Sequence, residues 1–366
     1  MKNSRRHFLV KTATSVAGLS LISPSAIVSA CSPGASERKL GIALVGLGYY
    51  STDLLAPALQ MTQYCELKGI VTGSPEKIPK WQRKYNIQDE HVYNYGNMHE
   101  IAGDDAIDVV YIVLPTGLHS EYAIKAANAG KHVWCEKPMA RTVEECRAII
   151  DACNKNKVKL SIGYRMQHEP NTQLIMKWAK TQPYGSIEKV TAAAGYYDGR
   201  TEHWKLEKEM GGGALYDMGV YPINAMRYST AKEPLRVLEA RHETNRPELF
   251  DEVDETTYFT LEFPDKIIAH GETSFGKSMN RLHIDCQDGW YELSPFQSYS
   301  GIRGRTSDGK LLNKSIANQQ ARQMDDDALA IIHDEPVMVP GEEGLRDIRI
   351  VQAIYESAGK KQVIEI

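Results

Sequence analysis

Gly41-Ile42-Ala43-Leu44-Val45-Gly46-Leu47-Gly48-Tyr49-Tyr50-Ser51 is the stretch that decides the fold. Gly41 to Val45 is a short apolar run of the kind that forms a strand buried on both faces. Gly-x-Gly follows at once, and Leu54 to Gln60 reads as a helix. The first glycine permits a tight turn. The second lets the backbone approach a pyrophosphate, which the free N–H groups and dipole of the helix N-terminus stabilise. Ser51 stands where the full fingerprint has its third glycine. A lone Gly-x-Gly is weak evidence, but one placed after the first strand of a βαβ series is considerably stronger.

Such a series follows. Leu67 to Val71 reads as the second strand and Asp108 to Leu114 as the next clear one. A helix from Glu121 to Ala129 is closed by Gly130, the residue type favoured just past a helix end. Val133 to Cys135 is another apolar strand. Thr142 can cap the next helix, with Glu145 as its capping-box partner, and that helix runs to about Asn156. Leu160 to Arg165 reads as a further strand. Strands alternating with helices predict an α/β fold, a Rossmann-type doubly wound parallel sheet over residues 40–165. Near His168 the pattern changes. After a helix from Pro170 to Lys180, alternating strands dominate: Glu188 to Tyr197, Glu255 to Phe263, Lys266 to Ser274 and Leu282 to Leu293. Residues 166–366 are therefore expected to form a C-terminal α+β domain with a large open, mostly antiparallel sheet. The helical tail Gly344 to Gly359 should pack back on the first domain.

The bulk properties narrow the function. The 366 residues are enough for two ordinary domains. With 25% charged and 42% hydrophobic residues and a net charge of -4, the chain has no dense basic stripe, which argues against nucleic acid. The first residues differ from the rest. Ser4-Arg5-Arg6-His7-Phe8-Leu9-Val10-Lys11 is a twin-arginine export pattern followed by a weakly apolar run, so residues 1–31 read as a signal peptide directing the protein to the periplasm. Val28-Ser29-Ala30-Cys31 resembles a lipobox, which would make Cys31 a lipid anchor; ordinary cleavage near Val28 to Ala30 is the alternative. Residues 32–39 form a short linker. None of the six cysteines forms a Cys-x-x-Cys pair, so neither a metal site nor a disulfide framework is expected.

Candidate cofactor contacts lie where the strands end, since ligands of open α/β sheets bind outside the carboxyl ends of strands. They are Gly46, Leu47, Gly48 and Tyr49; Thr72, Gly73, Ser74 and Lys77; Pro115, Thr116 and His119; Glu136 and Lys137; and Arg165. An acid at the end of the second strand would bind the ribose 2′-hydroxyl and repel a 2′-phosphate. Here small hydroxyls lead and Lys77 follows, which favours NADP, with NAD as the alternative.

Two constellations carry chemistry. Glu136-Lys137-Pro138 ends a strand, and the proline pushes Lys137 toward extended geometry. A lysine fixed there can donate to a substrate hydroxyl or acidify a neighbour, although a surface lysine in a strand-to-helix loop has the same local sequence. The second is Gly211-Gly212-Gly213 followed by Asp217, Tyr221 and Asn224 at helical spacing, which predicts one shared face. A tyrosine serves as a base near neutral pH only beside a cation, and Lys137 is the candidate.

Together these motifs resemble the Gfo/Idh/MocA oxidoreductase family, and within it the glucose–fructose oxidoreductase branch. Cys135 to Ala140, Ile162 to Arg165, Asp217-x-Gly219-x-Tyr221, Pro340 to Gly344 and Gln352 to Glu356 extend the likeness over almost the whole mature chain. The resemblance implies hydride transfer between a sugar and bound NADP, with Lys137 orienting a sugar hydroxyl, Asp217 contacting the substrate and Tyr221 as the acid/base. It implies Tyr164 and Asn224 as further substrate contacts, and Trp204, Lys205 and Tyr299 as cofactor contacts, although Lys205 replaces an arginine. A homo-oligomer, dimer or tetramer, through the open sheet is also implied. The chain departs from that branch in two places: it lacks a long proline-rich arm, and Asp198 to Trp204 differs. The expected reaction oxidises an aldose to its lactone and reduces a second carbonyl sugar. The alternatives are a redox-neutral sugar enzyme, such as a glycosidase or epimerase using bound NAD(P), and a non-catalytic nucleotide-binding protein.

Overall fold

The computed structural model describes residues 38–366. The twin-arginine pattern, the lipobox with Cys31 and most of the linker lie outside them. Among the described residues, strands β1 (Leu40–Val45), β2 (Cys65–Val71), β3 (Val92–Tyr93), β4 (Val109–Ile112), β5 (His132–Cys135) and β6 (Leu160–Ile162) form one parallel sheet in the order β3-β2-β1-β4-β5-β6. Strand order reverses between β1 and β4. Outside their carboxyl ends lies the crevice in which a doubly wound sheet binds its ligand. Helices α1 (Ala56–Leu59), α2 (Ile78–Tyr85), α3 (Thr116–Asn128) and α4 (Val143–Asn156) connect the strands.

Helix α5 (Pro170–Thr181) leads into a second, nine-stranded sheet. Its members are β7 (Ile187–Gly195), β8 (Arg236–Glu243), β9 (Thr256–Glu262), β10 (Ile268–Ser274), β11 (Met279–Cys286), β12 (Gly289–Leu293), β13 (Gly304–Thr306), β14 (Leu311–Leu312) and β15 (Ile364–Glu365). All neighbours pair antiparallel except β7 and β10, which run parallel at its centre. Helices α6 (Val220–Thr230) and α8 (Gly341–Lys360) cover one face, and α7 (Gln319–Ile332) packs on the turn after β6. Gly271 of β10 lies under the Phe259 ring, where a Cβ would come within 2.0 Å of the ring. The start of α8 packs on the first sheet's side: a Cβ on Gly341 would come within 2.5 Å of Leu160, and one on Gly344 within 2.7 Å of Met139.

Several local expectations need correction. Helix α3 starts at Thr116, not Glu121. Thr116 and Gly117 are poor helix formers, but Gly117 is needed because a Cβ there would come within 2.5 Å of the Glu209 carbonyl. Leu282 to Leu293 is a hairpin, β11 and β12, that turns at Gln287-Asp288. The strand read through Arg165 stops at Ile162, and Arg165 to His168 form a tight turn of 3₁₀ helix. Helix α7 is a further element: Ala321, Met324 and Ala328 line its buried apolar side, and Gln319, Gln320, Gln323 and Asp327, buried beside them, dilute that stripe in the sequence.

Candidate active site

Gly46 leaves β1 with φ +91°, and a Cβ there would come within 2.4 Å of the Val113 carbonyl at the end of β4. Only glycine meets both demands. A Cβ on Gly48 would meet nothing within 4 Å, so the space above the turn is open to a ligand. Ser51 replaces the third glycine by turning inward: its hydroxyl donates to the Gly46 carbonyl at 2.6 Å and is fully buried. The helix therefore begins at Tyr50, with a wide π-type turn, and directs its N–H groups at that space. Lys77 donates to the Leu47 carbonyl at 3.0 Å, which brings the end of β2 to the same turn. These features fit a dinucleotide.

The cleft has a volume of about 520 Å³, within the roughly 300–1,000 Å³ usual for cofactor sites. Its walls include Gly46, Leu47, Gly48, Tyr49, Thr72, Ser74, Lys77, Pro115, Thr116, His119, Glu136, Lys137, Trp204, Lys205, Asp217, Tyr221 and Tyr299. Four expected contacts do not line it. Gly73 is covered by Tyr95, to which a Cβ would come within 2.8 Å. Arg165 is buried beneath the cleft. Tyr164 is buried beside Asp347. Asn224 accepts from Gln167 at 3.0 Å and donates to Glu343 and Asp347 at 3.1 and 3.0 Å, in a network buried behind α6. The reason for Asn224 is geometric: Leu215 to Gly219 form another wide turn, and the slower rotation per residue carries the expected i+7 position away from the Asp217–Tyr221 face.

Three side chains converge where the two sheets meet. The Lys137 ammonium donates to the Asp217 backbone carbonyl at 2.8 Å, lies 3.7 Å from the Asp217 carboxylate, and sits 4.5 Å from the centre of the Tyr221 ring. Lys205 pairs with the same carboxylate at 2.6 Å and donates to the Tyr196 hydroxyl at 3.1 Å. Burial would raise the Asp217 carboxyl, but Lys205 and Lys137 outweigh it and hold the group below the usual range. Burial likewise opposes the Lys137 charge, and Tyr221, Asp217 and Glu136 more than compensate. The site thus keeps a fixed carboxylate and a fixed ammonium beside a phenol, an arrangement suited to moving a proton on and off a hydroxyl. The His119 ring lies between the carbonyls of Leu114 at 2.8 Å and Pro138 at 2.9 Å, tying the loops after β4 and β5 together.

Sequence reasoning missed Tyr50, Tyr95, Leu114, Arg200 and His203, which also line the cleft. Tyr50 faces Tyr299 with ring centres 6.1 Å apart, so the turn after β1 and the loop after β12 approach each other across the cleft mouth. Its place beside Tyr49 in the turn was the available signal. Arg200 pairs with Asp198 in the 198–204 loop, whose sequence has no periodicity to flag it. A larger cavity, of about 840 Å³ and lined by Tyr216, His242, Phe250 and Tyr355 among others, is lined by neither Lys137 nor Tyr221.

Glu136 provides a measurable signature. Its carboxylate accepts from the Tyr111 hydroxyl at 2.7 Å, and its bulk requires glycine at 163, where a Cβ would come within 2.7 Å of it. Burial pushes this carboxyl from 4.5 up to about 7, offset only in part by Tyr111 and Lys137. The folded chain therefore holds that proton more tightly than the unfolded one. The associated stability is fully present below pH 4.5 and lost as pH rises through about 7. Glu136→Gln is expected to raise Tm at pH 8 relative to the parent, by a penalty of at most about 3 kcal/mol, with a much smaller change at pH 5. Thermal unfolding at the two pH values checks this; equal shifts at both would contradict it.

The family model described as "Oxidoreductase family, NAD-binding Rossmann fold" matches residues 40–164. The model described as "GFO/IDH/MocA C-terminal domain" matches residues 172–292. Among solved structures, the chain is similar to an aldose-aldose oxidoreductase from Caulobacter crescentus, with 35% identity and a TM-score of 0.86, over 90% of this chain and 100% of that one. Among curated proteins it is similar to a D-xylose 1-dehydrogenase [NADP(+)] of Haloarcula marismortui, with 27% identity over 91% of this chain and 94% of the relative. A levoglucosan dehydrogenase solved with NADH and levoglucosan shares the fold at 22% identity, with a TM-score of 0.78 over 90% of this chain and 100% of that one.

Proposed function

The chain belongs to the Gfo/Idh/MocA oxidoreductase family, and from that premise we propose that it is an NADP-dependent sugar oxidoreductase that oxidises an aldose to its lactone and passes the electrons to a second carbonyl sugar. The observation that carries this is the convergence of Lys137, Asp217 and Tyr221 on one cleft with the Gly46–Tyr49 turn. The names of the aldose-aldose oxidoreductase and xylose dehydrogenase relatives support sugars as the substrate class.

The nicotinamide, when bound, supplies the hydride acceptor. Gly46, Gly48 and the helix N-terminus beyond them would hold the pyrophosphate, and Glu136 and Trp204 line the cleft further along. Lys137 orients the sugar hydroxyl, Asp217 keeps Lys137 and Lys205 in place, and Tyr221 takes the hydroxyl proton. Tyr299 and Tyr50 form a roof at the cleft mouth, their ring centres 6.1 Å apart. Ser4 to Lys11 supports export to the periplasm, where a self-contained pair of half-reactions needs no pool of reduced cofactor. The uncovered sheet face, bearing Lys189, Thr191, Arg241, His270 and Arg281, supports assembly of identical chains.

The test is to release and identify nucleotide from purified protein, then follow the reduced-nicotinamide band as single aldoses and then fructose are added. NADP reduced by an aldose and reoxidised by the second sugar is expected. A glycoside cleaved or epimerised with no reduced nicotinamide at any stage would favour the redox-neutral alternative. Binding of neither NADP nor NAD would exclude both.

Lys77 carries the NADP assignment. It stands with Thr72 and Ser74 on the cleft wall at the end of β2, where no carboxylate lines the cleft. A hydrogen bond to a charged group is worth about 1.5–3 kcal/mol. Lys77→Glu is therefore expected to move the NADP-to-NAD ratio of kcat/KM toward NAD on the order of 10- to 100-fold. An unchanged ratio in steady-state kinetics would remove Lys77 from this role.

A further inference from the structure

We propose that Arg165, which lies outside the cleft, is a positioning residue for proton transfer: its buried guanidinium makes no ion pair and stands behind Tyr221, where it favours the phenolate that accepts the substrate proton. The inference rests on Tyr221 being the acid/base.

Arg165 is 2% exposed. Nη1 donates to the Ser298 carbonyl at 3.3 Å, to the Met166 sulfur at 2.8 Å and to Gln319 Oε1, whereas Nε and Nη2 reach no partner. A buried cation without a paired anion costs several kcal/mol, and unsatisfied buried donors are rare enough to require a reason. The neighbouring acids are already engaged. Glu136 accepts from Tyr111 at 2.7 Å and from the Lys137 backbone N–H at 3.3 Å. Asp217 is held by Lys205 at 2.6 Å and Lys137 at 3.7 Å.

Arg165 lies 6.0 Å from the centre of the Tyr221 ring, and Lys137 lies 4.5 Å from it. The groups facing Arg165 are Tyr50 from the turn after β1, Glu136 and the like-charged Lys137 from the end of β5, Tyr221 from α6 and Tyr299 from the roof loop. Tyr221 as phenolate, the form able to accept the substrate proton, places a negative charge on the ring that the guanidinium faces at 6.0 Å. A fixed cation there favours the phenolate, so more of the enzyme carries an active base near neutral pH; in the reductive half-reaction the same charge develops as Tyr221 gives its proton to the second sugar, and the guanidinium meets it without reorganisation.

Arginine suits this position better than lysine. Its planar head lies 4.3 Å from the centre of the Tyr299 ring, and it stays charged where a buried lysine readily loses its proton. Gln319, the first residue of α7, and Ser298, next to the roof tyrosine, fix its rotation. Arg165 transfers no proton itself; the substrate proton goes to Tyr221 and then to solvent through the cleft.

The test compares kcat against pH for sugar oxidation in the NADP-loaded full-length protein carrying Arg165→Met or Arg165→Lys, with Tyr221→Phe alongside. Arg165→Met removes the charge and is expected to move the acid limb upward by about one pH unit or more, with the KM of sugar and nucleotide little changed. Arg165→Lys should recover part of that shift. If Arg165→Met lowers kcat or Tm while the profile keeps its shape, the residue is structural and the proposal fails. If Arg165→Met does not fold, Gln319→Leu, which frees the guanidinium to turn, replaces it: an upward shift supports the proposal and an unmoved limb overturns it. If Tyr221→Phe retains parental kcat, the acid/base assignment itself fails. An inactive Tyr221→Phe with an unmoved Arg165→Met profile defeats this inference alone.

Discussion

Tyr221→Phe is expected to reduce kcat for sugar oxidation on the order of 10³-fold while leaving nucleotide binding intact. General acid–base groups contribute about 10²–10⁴-fold. The substitution removes one hydroxyl and keeps the ring against which Lys137 and Arg165 are placed. The side chain is 7% exposed and α6 is buried along its whole length, so phenylalanine fits the same space. Folding should therefore be preserved and the loss confined to chemistry. Single-turnover kinetics of the NADP-loaded protein checks this. A kcat within a few-fold of the parent would transfer the acid/base role elsewhere in the cleft.

Lys137→Ala is expected to cause a comparable loss, for a different reason. The ammonium donates to the Asp217 carbonyl, approaches its carboxylate and faces the Tyr221 ring, so its removal loosens three groups at once. Asp217 retains Lys205 at 2.6 Å, so the carboxylate is not left unpaired and the stability cost should be about 1–3 kcal/mol rather than unfolding. The expected pattern is kcat reduced about 10²–10⁴-fold, with cofactor affinity near that of the parent. Partial rescue by added primary amines would show that charge, not packing, was lost. Full activity without lysine would contradict its assignment.

The first sheet was legible because parallel strands announce themselves as short apolar runs, and Gly46 and Gly48 mark the one turn that must approach a ligand. Lys137, Asp217 and Tyr221 were legible because each sits beside a backbone signal: Pro138 for the first, Gly211 to Gly213 for the others. Asn224 was misplaced because helical spacing assumes a uniform turn, and Leu215 to Gly219 is wider than that. Tyr164, expected from the resemblance, and Arg165, expected at a strand end, lie below the cleft because β6 ends at Ile162 and the chain turns beneath it. Arg200 and His203 enter the site from an irregular loop, where side-chain direction follows from tertiary contacts that no period encodes. In helix α7 the short apolar stripe of Ala321, Met324 and Ala328 is flanked by buried Gln320, Gln323 and Asp327, so polarity concealed it.

The most direct measurement is a deuterium-transfer experiment. Purified full-length protein would be given NADP and an aldose deuterated at C1, and the nicotinamide and lactone examined by mass spectrometry and NMR. Deuterium on the nicotinamide ring in one stereochemical sense, lost in Tyr221→Phe and recovered in the product when a second carbonyl sugar is added, is the predicted result. Consumption of the sugar with the label retained on carbon or released to water, and none on the nicotinamide, would contradict a sugar oxidoreductase built on Lys137, Asp217 and Tyr221.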